Sequence, residues 1–113
     1  RHVVGGDRGP GAVAVGERVE VGRTVQFHVR DADAADEDLR ALLAREAGAS
    51  AALVFTCNGR GRALFGEPDH DAGLIGEILG PIPTAGMFCA GELGPIGPRN
   101  ALHSYTASLV LFD

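Results

Sequence analysis

The chain has 113 residues, 45% of them apolar and 22% charged, with a formal net charge of -5. That length suits one domain and leaves no room for two, and the apolar share is above that of a disordered segment. No run approaches the roughly 20 apolar residues of a membrane-spanning helix, and ten Arg without a Lys against 15 acids leave no basic face for nucleic acid. Two cysteines point to a reducing, cytoplasmic setting with free thiols, one bridge being the alternative. The chain opens without Met or a signal peptide, so it is expected to be a piece of something longer.

In chain order, residues 1–12 are dense in Gly, with Pro10, and read as a linker or the remnant of an upstream segment; the domain proper is expected over 13–113. Ala12–Val15 is a short strand candidate and Arg18–Gly22 a strand or turn. Val25-Gln26-Phe27-His28-Val29-Arg30 alternates apolar and polar residues, which predicts a half-buried strand. The acids from Asp31 to Asp38 open a helix: Asp31 or Asp33 can cap it, and the rest complement its dipole. Leu39, Leu42 and Leu43 make its apolar stripe, and Gly48 can end it. A solvated helix start is the plain reading of that acidic run, rather than a metal site.

Ala51–Cys57 is apolar without alternation, as strands covered on both faces are. A loop over 58–65 leads to a helix from Asp69 to Leu79, stopped by Gly80-Pro81. Gly73 and Gly76 inside it imply close packing on a sheet. Thr84–Ala90 is a further strand, 91–98 a turn-rich loop, and Tyr105–Phe112 a last strand. The fold class expected is α/β, with α+β the alternative: a mixed sheet of about five strands, two helices, and a central β-α-β-α-β unit with parallel strands.

Ligands in such sheets bind beyond the carboxyl ends of the parallel strands. The candidate ligand-binding residues are therefore Cys57, Asn58, Gly59, Arg60 and Gly61 after one strand, Gly91 and Glu92 after the next, and His103 before the last. Glycines let backbone amides approach a ligand. Arg60 offers a planar fork to a carboxylate, and Glu92 could hold an ammonium, so a zwitterion such as an amino acid fits. The plain alternative is a tight turn, with Arg60 in an internal ion pair. Neither a phosphate loop nor a dinucleotide fingerprint is present, no His or Cys spacing suits a metal, and no cofactor is expected. Cys57 and Cys89 read as packing residues; a Cys-dependent enzyme would need Cys57 with His103 or Glu92.

Four segments in order resemble one family. They are Cys57-Asn58-Gly59-Arg60-Gly61, Pro83-Thr84-Ala85-Gly86-Met87-Phe88, Gly91-Glu92-Leu93-Gly94-Pro95 and His103-Ser104-Tyr105-Thr106. They look like the FIST C-terminal domain (F-box and intracellular signal transduction) over roughly residues 20–113, with Met87 at or before an aromatic position and Leu93 in place of Ile. The resemblance implies a non-catalytic sensory module that binds a small ligand, preceded by a FIST N-terminal domain. A protein–protein interaction module is the alternative, and self-association is compatible with either.

Overall fold

The structure, a computed structural model, describes residues 2–113. Its strands are β1 (Val3–Asp7), β2 (Ala12–Val15), β3 (Ala51–Cys57), β4 (Thr84–Cys89), β5 (Glu92–Ile96), β6 (Arg99–His103) and β7 (Ala107–Phe112). Its helices are α1 (Ala32–Leu43), the single turn α2 (Arg62–Phe65) and α3 (His70–Leu79), with a 3-10 turn over Asn58–Arg60. Among the described residues, seven strands in one mixed three-stranded sheet and two antiparallel pairs, with three helices, make an α+β fold with more strands than expected.

The core forms on two of the three leucines of the expected stripe, Leu39 and Leu43, while Leu42 stays exposed. The Asp31 carboxylate accepts from the Ala34 N–H at 2.9 Å and starts α1, which turns Leu39 and Leu43 inward. They meet Leu74 and Ile75 of α3 and Ala52 and Val54 of β3, with Leu109 and Leu111 of β7 packed around them. Ile75 has no exposed surface. Truncating it to Ala should lower the unfolding free energy in urea by about 2–5 kcal/mol.

β3 is the centre of a three-stranded sheet ordered β4-β3-β7. It pairs parallel with β4, Ala52 opposite Thr84 through Cys57 opposite Cys89, and antiparallel with β7, Ala51 opposite Phe112. The parallel pair joined by α3 is the expected crossover unit, one strand shorter than expected. Both helices lie on one face of this sheet. The opposite face carries half-buried Leu53 and Phe55 together with exposed Met87, Val110 and Phe112. The double cover expected for β3 is therefore absent, and its burial alternates along the strand.

Other departures have local causes. Residues 16–31 form neither helix nor strand, and the alternating Val25, Phe27 and Val29 stay exposed. A period of two makes a strand only where a partner edge accepts its backbone, and none does here among the described residues. The glycine-rich start, expected as a linker or the remnant of an upstream segment, carries β1 in an antiparallel pair with β2. The expected loop over 91–98 is instead most of a hairpin in which β5 pairs with β6, turning at Gly97 with φ 58°. The helix α1 ends at Leu43, before Gly48.

The glycines of α3 also correct the expectation. A Cβ at Gly73 or Gly76 would meet nothing within 4 Å, so packing does not require them. Gly73→Ala should raise stability by up to about 1 kcal/mol, measurable as a higher urea midpoint.

Candidate functional site

The carboxyl end of β3 runs into the Asn58–Arg60 turn, which folds Arg60 back beneath the sheet. Its guanidinium is 6% exposed. Arg60 Nε and Nη2 donate to the two oxygens of Asp71, each at 2.8 Å, and Nη1 donates to the Tyr105 carbonyl at 3.2 Å. Asp71 stands in the first turn of α3 and is 4% exposed. The buried Thr56 hydroxyl donates to the same carboxylate. Burial alone would push the Asp71 carboxyl up; hydrogen bonds from Arg60 and Thr56 and the guanidinium charge outweigh it and hold it below the ordinary value.

The network continues outward. His70 Nδ1 lies 3.4 Å from Asp71 and Nε2 lies 2.9 Å from Asp36, while its ring stacks on Phe65 with centroids 3.6 Å apart. Arg40 donates to Asp36 at 2.6 Å and to Glu77 at 2.7 Å, joining α1 to α3. The Arg40 hydrogen bonds lower the Asp36 and Glu77 carboxyls. Of these, the Arg40–Glu77 pair is exposed and contributes little beside the buried one, while the bonds to Asp36 are part-buried.

Of the eight residues singled out from sequence, Arg60 is therefore held by Asp71, and a ligand reaching its fork would have to displace that carboxylate. Gly59 is required by close approach: a Cβ there would stand 2.8 Å from the Tyr105 ring. Tyr105 itself has φ 62°, uncommon for a bulky residue, and carries the Arg30 guanidinium 4.2 Å above its ring. Asn58 and Gly61 lie in and just after the turn, and Gly91 just before β5. Glu92 accepts from the Thr106 hydroxyl at 3.0 Å, and its Oε1 is buried without a hydrogen-bond partner. His103 Nε2 sits 3.0 Å from the Gly94 carbonyl, across the β5–β6 hairpin. Cys57 is buried, and both cysteines are free thiols. No group of three or more His, Cys, Asp or Glu able to hold a metal occurs among the described residues.

A groove of about 210 Å³ opens between β4 and the start of α3. Asp69, His70 and Asp71 form one wall, and Thr84, Gly86, Met87 and Phe88 line the other. Asp69 caps α3 with φ 56° while its side chain makes no cap hydrogen bond, so its carboxylate is not used to satisfy the helix. Sequence reading missed this wall. The signal available was an Asp-His-Asp run at a helix start, which reads equally well as a solvated cap. A smaller groove of about 160 Å³ is lined by Arg60, Tyr105 and Thr106 with Asp38 and Leu42 of α1.

Comparison with known proteins agrees with the first three of the four motifs; the fourth, His103–Thr106, lies beyond the residues that the family model matches, and that match begins before residue 20, where the resemblance was expected to start. The chain is 55% identical over 117 aligned positions to an uncharacterized protein of Mycobacterium bovis and, to the same degree, to uncharacterized proteins of Mycobacterium tuberculosis. Each match takes in 99% of this chain and 30% of the relative, so the chain spans under a third of the curated relatives it matches. No solved structure matches. No helix among the described residues is long and apolar enough to cross a membrane. The family model of the FIST C domain matches residues 1–95, taking in the glycine-rich start and ending within β5. The chain belongs to the FIST C family of signal-transduction domains.

Proposed function

We propose that this domain is the ligand-sensing part of a larger cytoplasmic FIST protein, acting by binding a small molecule and not by catalysis. The observation that carries the reading is the groove between β4 and α3, where the Asp69 carboxylate is left free by the helix it caps. Its volume is below the roughly 300 Å³ at which drug-sized sites begin, which suits a metabolite of amino-acid size. Asp69 would take an ammonium, the α3 N-terminus a carboxylate, and the Gly86–Phe88 wall an apolar side chain. The neighbouring Arg60–Asp71 pair would hold α3 in position for this. A FIST N-terminal domain upstream would complete the protein.

A thermal-shift screen of the purified protein against the standard amino acids tests the reading. At 100 times the dissociation constant, a ligand should add about 2.7 kcal/mol. Asp69→Asn, which keeps a residue suited to the left-handed backbone at φ 56°, should weaken the responding ligand about tenfold or more by calorimetry, with the unliganded melting temperature little changed. No response to any member of the panel would overturn it.

A second reading, an interaction module, is favoured by one observation. The radius of gyration is 17.1 Å, against roughly 13 Å for a compact chain of this length, and the sheet face of Met87, Val110 and Phe112 is uncovered. Light scattering that finds a monomer at high concentration would count against self-association through that face.

A further inference from the structure

We propose that Cys57 and Cys89 form a reversible oxidation site, closing as a disulfide between the ends of β3 and β4. The register pairs them directly, so their side chains stand on the same face of the sheet. They are the last residues of their strands. Adjacent strands lie about 4.7–4.9 Å apart, within the 4.4–6.8 Å over which Cα atoms of bridged cysteines are found. Side chains paired this way stand slightly too far apart for an unstrained bridge. The strand ends must draw together, and a strained bridge of that kind is labile to reduction. At the terminal rung of the ladder, what has to give is the two following turns and the bond from the Cys57 N–H to the Thr106 carbonyl at 2.9 Å.

The two sulfurs differ in access. Cys57 is 7% exposed, and its Sγ accepts from the Gly59 N–H at 3.5 Å; Cys89 is half-buried. The oxidant is hydrogen peroxide. Cys89 sulfur attacks one peroxide oxygen: an S–O bond forms, the O–O bond breaks, and the departing hydroxide takes the Cys89 thiol proton as water, leaving a sulfenic acid. Cys57 sulfur then attacks the Cys89 sulfur. The S–S bond forms, the S–O bond breaks, and hydroxide leaves with the Cys57 proton as a second water. Two thiols lose two electrons and the peroxide gains them.

The bridge would close a loop containing α2, α3 and both members of the Arg60–Asp71 pair. It would tighten the start of the turn that carries Arg60. No other residue of the described chain is placed to resolve a Cys89 sulfenic acid, since only two cysteines occur.

The test treats the purified protein with stoichiometric hydrogen peroxide, then measures intact mass, maleimide labelling after unfolding in urea, which exposes the buried Cys57, and non-reducing peptide maps. The expected result is a monomer lighter by the two thiol hydrogens, with both residues lost to labelling together, one peptide joining Cys57 to Cys89, and labelling of both restored by dithiothreitol. In Cys89→Ser, Cys57 should remain fully labelled at the same dose. In Cys57→Ala, Cys89 should stop at the sulfenic acid, trapped by dimedone, or proceed to the sulfinic acid. Labelling of both residues after peroxide, a bridge between two chains, or undiminished loss of Cys57 in Cys89→Ser would each overturn the proposal.

Discussion

Replacing Asp71 with Asn should destabilise the domain by about 3–5 kcal/mol, because it leaves the buried Arg60 guanidinium without a countercharge. The geometry supports so large a value: two guanidinium nitrogens bond the carboxylate at 2.8 Å, and both side chains are nearly solvent-free. The loss comes from the stranded charge and not from the net worth of the pair, and this can be separated. A variant combining Arg60→Met, Asp71→Leu and Thr56→Val removes the buried charges and the Thr56 hydroxyl together, leaving only the His70 ring and the Tyr105 carbonyl of the original partners, and should recover most of the loss in urea titration. A cost of under about 1 kcal/mol for Asp71→Asn, or a triple variant no more stable than Asp71→Asn, would overturn this account.

The same carboxylate sets an acid limit. Its folded pKa lies below the ordinary 3.8, so the stability it contributes is complete above that value. It is lost as pH falls through the folded pKa, when the proton taken up breaks the bond to Arg60. The native chain should lose stability steeply below about pH 4, and the triple variant should show a shallower slope over that window.

Gly86→Ala should be nearly as damaging, costing about 3 kcal/mol or more, the upper end for overpacking. A Cβ at Gly86 would collide with the Val54 carbonyl oxygen. Val54 belongs to the central, buried strand and cannot retreat without breaking its bonds to β7 or entering the helix layer. The substitution should therefore open the β3–β4 ladder, read as faster hydrogen exchange along β3 with the β3–β7 side less affected. Gly73→Ala is the matched control, because the same added methyl meets open space there. Equal stability of the two variants would remove the argument.

Legibility in the sequence followed the range of the interaction involved. The helices α1 and α3 and the strands β3 and β4 were plain, since their apolar spacing is local and the core they build uses the same residues. The β5–β6 hairpin was hidden because Gly94, Pro95, Gly97 and Pro98 all read as breakers, although an edge hairpin tolerates them. The strand over 25–30 failed for the opposite reason: a strong local pattern met no partner edge. At the site, the position of Arg60 was legible and its partner was not. Asp71 is one acid among several at helix starts, and only the crossover from β3 to α3 selects it. Asp69 gains its role from a backbone conformation that no residue type announces.

The order of strands has a consequence for biosynthesis. β7 is the last of the sheet's three strands to leave the ribosome, yet it pairs with the middle one, and its Leu109 and Leu111 close the side of the core. Until it arrives, β3 has α1, α3 and β4 in place and a bare row of amides along its other edge. A nascent chain at that point is a template for any passing strand. Slow translation between β6 and β7 should therefore divert more of the product into aggregates than a pause elsewhere, because the final rung of assembly is also the one that seals the edge.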